Sequence, residues 1–357
     1  MTKRVEQLRK VLAAEGLDAL ITENPVNRRY ISGFSGSTGW AIVSADAAVL
    51  VTDFRYVEQA AGEAVGYTVV NNERKPLEAI AKVLSSHGIK RLGIEKNLIS
   101  LATYEDWREA FAGVELVPTS GLIERLRMYK DEDELTFIRE AMRMADDAFN
   151  HVLNFIKPGV RESDVALELE FFMRRQGADG KAFDIIVASG ERGALPHGRA
   201  SDKLIQAGEM VTMDFGAAYQ GYHSDLTRTV SVGEPHPQMR EIYEIVLKAQ
   251  LACVQGLKPG MTGKEGDAIA RDIIAAAGYG EAFGHSTGHG LGMLVHEQPN
   301  LSAASHIVLE PGMLVTVEPG IYISGLGGVR IEDDVLMTAD GCEILTKSTK
   351  ELLILPV

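Results

Sequence analysis

The chain has 357 residues, 45% of them hydrophobic, with mean hydropathy near zero, a composition that suits a globular protein of two domains. Fifty acidic residues against 36 basic ones leave a formal charge of −14, which argues against a broad electrostatic grip on nucleic acid or on an anionic membrane. Two cysteines, Cys253 and Cys342, are too few for a disulfide framework and wrongly spaced for a thiolate zinc site.

The opening MTKRVEQLRK is polar and helical in pattern, and no run of eighteen apolar residues occurs, so the expected location is cytoplasmic. From residue 3 to about 120, amphipathic helical stretches alternate with short apolar runs: VEQLRKVLAAEG then LDALIT, PLEAIAKVLSSHG then RLGIEK, TYEDWREAFAG then VELVPTS. This alternation predicts an α/β domain over residues 1–125. Charges cluster from Lys130 to Glu134, so residues 126–133 are read as a linker and 134–357 as a second domain.

The second domain repeats itself. LNFIKPGVRESDVALELEFFMRRQGA and VQGLKPGMTGKEGDAIARDIIAAAGY each carry a helix end, a Lys-Pro-Gly stop, a polar start, a second amphipathic helix and a glycine. Downstream, Asp214 lies 55 residues after Gly159 and Glu318 lies 58 after Gly260. Each is followed by a second acid-bearing strand, with Asp225 and Glu332 respectively, so each half supplies a carboxylate pair. His197 and His296 also recur, at offsets 38 and 36.

A carboxylate inside a strand-like run such as VTMDF costs several kcal/mol unless it is paired, protonated or coordinated. Neighbouring strands can present Asp214 and Asp225 on one side, and Glu318 and Glu332 likewise. Four converging carboxylates favour cations, and an oxygen-rich set with one imidazole suits Mn²⁺, Co²⁺ or Zn²⁺, two of which would neutralise four charges. Arg228 and Arg330 are the local alternative, as salt-bridge partners or as groups that orient the ligands. The run GHSTGHGLGMLVHEQ, residues 284–298, lacks the fingerprint of a dinucleotide loop and the lysine of a phosphate loop. Its glycines are expected to let the backbone pass close to the metal centre.

Together PHG (196–198), MDFGAAYQGYHSDLTRT, HSTGHGLGMLVHE, EPGIY and GGVRIED resemble the pita-bread metallopeptidases, the family of methionine aminopeptidase, aminopeptidase P and prolidase. NRRYISGFSGSTGW and VTDFRY are similar to the creatinase-type N-terminal domain of the Xaa-Pro-cleaving branch. The resemblance implies an α+β pita-bread C-terminal domain of two pseudo-symmetric halves, an antiparallel sheet covered by helices. It implies metal ligands at Asp214, Asp225, His289, Glu318 and Glu332 for two divalent ions, manganese first, cobalt or zinc otherwise. Catalytic contacts fall to His197, His285, His296, Glu318 and Arg330, with Glu318 as acid/base and His296 or His285 donating to the oxyanion. The substrates implied are small proline-containing peptides, acted on by a homodimer. The reading drawn is an Xaa-Pro aminopeptidase, the alternatives being a prolidase restricted to dipeptides or an inactive pita-bread binding protein. Asn300 stands in HEQPN where prolidases often carry an arginine, although Arg199 could replace it in holding a substrate carboxylate.

Overall fold

The computed structural model describes residues 3–357, which form two compact units, one ending at Arg127 and one beginning at Met128. In the first, apolar strands alternate with helices in the order α1 (Lys3–Ala14), β1 (Ala19–Thr22), α2 (Pro25–Ser32), β2 (Trp40–Ser44), β3 (Ala48–Thr52), α3 (Val57–Glu63), β4 (Thr68–Asn71), α4 (Pro76–Ser86), β5 (Arg91–Glu95), α5 (Leu101–Ala110), β6 (Glu115–Thr119) and α6 (Leu122–Arg127). The strands make one mixed sheet, β4-β3-β2-β1-β5-β6. Strand β1 is buried at every position because it lies inside that sheet, and Val5, Leu8 and Leu12 form the buried stripe of α1. The NRRY motif proves to be scaffold. Asn27 donates to Glu95 and Glu124 and accepts from Arg127, while Arg28 donates to the carbonyls of Gly36 and Gly39.

The second unit runs α7 (Glu132–Val152), α8 (Glu162–Arg175), β7 (Gly180–Lys181), β8 (Ile186–Ser189), β9 (Met210–Phe215), β10 (Ala217–Tyr219), β11 (Tyr222–His223), β12 (Leu226–Val232), α9 (Pro237–Gly256), α10 (Gly263–Ala276), β13 (Gly288–Gly290), β14 (Glu297–Leu301), β15 (Leu314–Val317), β16 (Gly320–Ile323), β17 (Gly327–Arg330), β18 (Asp333–Met337), β19 (Cys342–Ile344) and β20 (Ile354–Leu355). Its strands fall into four sheets rather than one continuous antiparallel sheet, and β12 pairs in parallel with β20. The two largest are β20-β12-β9-β8 and β14-β13-β15-β18-β19.

The repeat is physical. Helices of 21 and 14 residues begin the first half, and helices of 20 and 14 begin the second. Gly159 and Gly260, the ends of the two Lys-Pro-Gly stops, both take positive φ, at 88° and 90°. The same hydrogen bonds follow each of them. Gly159 donates to Ile205 as Gly260 does to Leu309, Glu162 to Lys203 as Gly263 to Ile307, and Ser163 to Ser201 as Lys264 to Ser305. Each helix pair covers the strands of its own half. Ala145, Phe149 and Leu169 share a core with Val187, Met213 and Val230, while Ile242, Val246 and Ile274 share one with Val315, Val329 and Val335. Both cysteines are free, Cys253 buried and Cys342 half-buried, and Leu294 is exposed.

The glycines of the 284–298 run permit close packing of backbones. A Cβ on Gly288 would overlap the Thr316 carbonyl oxygen on β15, and one on Gly290 the Gln298 carbonyl oxygen on β14. Because both obstacles are main chain, neither can rotate away. Gly288→Ala is expected to cost well over the ~1 kcal/mol typical of a point substitution, read as a lower denaturant midpoint with unchanged slope; a wild-type midpoint would show that the strands can separate at no cost.

Candidate metal centre

Strand pairing assembles the carboxylates. β9 and β12 are antiparallel with Phe215 opposite Leu226, which leaves Asp214 at the end of one strand and Asp225 just before the other. β15 and β18 repeat this with Val317 opposite Asp333, so Glu318 leaves one strand as Glu332 enters the other. Carboxylate oxygens of Asp214, Asp225 and Glu332 all lie within 4.8 Å of one another. Asp225 is 5% exposed and Glu332 1%, too little for water to neutralise them.

Thr227 joins the halves: its hydroxyl donates to Glu332 Oε2 at 2.7 Å and its carbonyl accepts from the Glu332 backbone N–H. The Asp225 backbone N–H donates to Asp334 Oδ2. His289 Nδ1 donates to the Gly290 carbonyl at 3.0 Å, which directs Nε2 to Glu318 Oε1 at 3.3 Å and Asp225 Oδ2 at 3.7 Å. Thr316 donates to the same Glu318 oxygen.

The electrostatics are those of an undercompensated cluster. Burial first, then mutual repulsion, holds the carboxyls of Asp225 and Glu332 well above the ordinary range. Burial also raises Asp214, against the pull of the Arg330 guanidinium 2.6 Å away. For Glu318, burial is outweighed by the hydrogen bond and charge of His289, and its pKa falls. His289 rises in turn, since Glu318 outweighs burial there too. Among the described residues, Asp214 Oδ1, Glu332 Oε1 and Asp334 Oδ1 are buried without a hydrogen-bond partner. Orphaned anionic oxygens converging beside an imidazole nitrogen fit a site for divalent cations.

Asp214, Asp225, His289, Glu318, Arg330, His197, His285 and His296 line one cavity of about 680 Å³. The histidines differ within it. His285 is engaged at both nitrogens, Nδ1 donating to the Ser286 carbonyl and Nε2 accepting from the Tyr322 hydroxyl, each at 2.8 Å. It therefore has no proton left to give an oxyanion, and burial keeps its pKa low. His296 lies edge-on to His289, with centroids 4.4 Å apart, and His197 is exposed at the cavity wall.

The arginines also separate. Arg330 donates to Asp214, Tyr322, Thr227 and the Pro196 carbonyl, so it serves the cluster. Arg228 instead forms a buried pair with Asp333 at 2.8 Å and donates to the Glu332 carbonyl, so its partner is not Asp225, its near neighbour in sequence. Two site residues escaped the sequence reading. Asp334 was signalled by strand alternation, which puts Glu332 and Asp334 on one face and Asp333 on the other. Tyr322, whose hydroxyl pKa is pushed up to about 12 mainly by burial, had no signal beyond its place in EPGIY.

A family model for Metallopeptidase family M24 matches residues 136–339, and one for the Creatinase/Prolidase N-terminal domain matches residues 4–129. The chain is 44% identical to an Xaa-Pro dipeptidase from Pyrococcus furiosus, over 99% of this chain and 100% of that one. The solved structure of an Xaa-Pro dipeptidase from Bacillus anthracis is 52% identical with a TM-score of 0.97, covering 99% of each chain. That of an X-Pro aminopeptidase from Thermotoga maritima is 38% identical with a TM-score of 0.93, covering 99% of this chain and 100% of that one.

Carboxyls held above their ordinary range keep protons that the unfolded chain has already released, so these groups make the fold less stable as pH climbs from about 4 through the raised values. Chelated protein is therefore expected to melt at a lower temperature at about pH 8 than at about pH 5.5, and added Mn²⁺ to reverse the difference while releasing protons. Equal melting at both pH values, unmoved by Mn²⁺, would remove the cluster as a cation site.

Proposed function

The chain belongs to metallopeptidase family M24, its carboxylate cluster forming a metallo-exopeptidase active site, and from that membership we propose that it hydrolyses the bond between an N-terminal residue and proline, with Xaa-Pro dipeptides preferred. The observation that carries the reading is the opening of the cluster into a cavity with an apolar wall, Phe183, Ile186 and Val295, suited to a proline ring. Asp214, Asp225, His289, Glu318 and Glu332 would hold two divalent cations, manganese first. When bound, these supply Lewis acidity and a water of lowered pKa.

The residues supply the rest. Glu318, with its pKa lowered, is ionised at neutral pH and can take a proton and pass it to the leaving ring nitrogen. That nitrogen belongs to a tertiary amide with no N–H to donate, so recognition must come from the walls and from the carbonyl. His296 is the donor to the developing oxyanion, with His197 orienting the substrate; both have exposed rings in the cavity. His285 fixes Tyr322, and through it Arg330 and Asp214.

Of the readings open from the sequence, dipeptidase is better supported than aminopeptidase, since relatives bearing that name align over nearly the whole chain at 44% and 52% identity. Cleavage of longer Xaa-Pro-Yaa peptides stays as a second activity, favoured by the cavity of about 680 Å³ and by the relative named X-Pro aminopeptidase. Leu-Pro and Leu-Pro-Gly assayed side by side are expected to be cleaved only with Mn²⁺ or Co²⁺ present, Leu-Pro with the higher kcat/KM. Activity surviving complete chelation would overturn the mechanism. His296→Ala is expected to lower kcat by about a hundredfold at unchanged metal content; a change in KM alone would reassign His296 to binding.

A further inference from the structure

We infer that Arg199, released from Asp184, is the cation that receives the substrate's C-terminal carboxylate and so selects dipeptides; the inference rests on the Xaa-Pro reading above. Register places it. Ile186 pairs directly with Asp214 on β9 and makes an isolated antiparallel bridge to Arg199 on its other side. Residues directly opposite in antiparallel pairs present their side chains to the same face, so Asp214, Ile186 and Arg199 form a row, and all three line the cavity. Two strand spacings put the Cα of Arg199 about 10 Å from that of Asp214. A dipeptide spans at most about 7 Å, and the long arginine side chain covers the remainder.

Arg330 and Asn300, which line the same cavity, do not compete. Arg330 spends its guanidinium on Asp214, Tyr322, Thr227 and Pro196, and Asn300 is neutral. Arg199 is held in position by its main chain rather than by its head group: its carbonyl accepts from Arg192 at 2.6 Å, and Arg192 is anchored on the buried carboxylate of Glu162. Among the described residues the head group has one ion-pair partner, Asp184 at 3.2 Å, with the side chains 78% and 54% exposed. An exposed pair of this kind is weak, so exchange for a substrate carboxylate that can be gripped by two parallel N–H donors is favourable.

Arg199 and Asp184 also line a second cavity of about 290 Å³ together with Lys181, Glu170 and Leu167, and Asp184 is paired with Lys181 as well, at 3.0 Å. The pair therefore stands at the boundary between the two cavities. A dipeptide ends at that boundary in a carboxylate, whereas a longer peptide presents a neutral amide there and must continue past the pair. Discrimination against longer substrates then follows from the loss of one charged contact.

The test compares leucyl-proline with leucyl-prolinamide on the Mn²⁺-loaded wild type, Arg199→Met and Asp184→Asn, with metal content measured for each. The wild type is expected to prefer the acid by tenfold or more in kcat/KM, chiefly through KM. Arg199→Met should bring the ratio close to one, Arg199→Lys should recover part of it, and Asp184→Asn should increase it. A ratio unchanged in Arg199→Met, or an equal loss on both substrates, would overturn the assignment while leaving the Xaa-Pro reading intact. A wild type that cleaves neither substrate would overturn both.

Discussion

Buried negative charge without enough positive charge to balance it is the constraint on which the second unit is built. Three carboxylates converge within 4.8 Å, and Asp334 adds a fourth buried acid beside Asp225. The cations close by are already committed. Arg330 answers Asp214, while Arg228 and Lys350 answer Asp333 on the opposite face of β18. Replacing the cluster by apolar groups would suit stability better, so its persistence in a core of Val, Ile and Met reflects chemistry. The cluster can hold metal ions, which would supply the missing counter-charge.

Duplication explains where the cluster lies. A single half places two acids at the ends of its central strands, which cannot enclose a cation by themselves. When the two halves meet, Thr227 from one ties down Glu332 from the other, and Arg330 from the second reaches Asp214 in the first. The halves have diverged in what they add: His289 comes from the second, and Arg199 comes from the loop after β8 in the first. The cavity wall thus mixes a chemistry-bearing side and a substrate-facing side.

The legible parts were those written in short-range pattern. The α/β alternation of the first unit follows from apolar runs of strand length between amphipathic stretches, and the recurrence of Lys-Pro-Gly marks two helix stops whose glycines both need positive φ. Neighbours in sequence misled in one place. Arg228 stands three residues from Asp225, yet strand alternation turns it to the far face, where it meets Asp333 from 105 positions away. His285 and His296 stood as alternative oxyanion donors for the same reason: what a ring can donate depends on its partners, and Tyr322, which occupies His285, lies 37 residues on.

By itself the sequence determined the two-domain α/β and α+β plan, the internal repeat, and the strand-borne acids Asp214, Asp225 and Glu332 that converge, because residue type, periodicity and spacing are local properties of a chain. Tertiary structure alone decided which oxygens are left without partners, which histidine still has a proton to give, and that Arg199 shares a row with Asp214. Those are outcomes of strand register and of hydrogen bonds spanning 100 or more positions, such as Thr227 to Glu332 and Arg330 to Asp214. A shift of one residue in any of these pairings would turn the same side chains to the opposite face without changing a letter of the pattern.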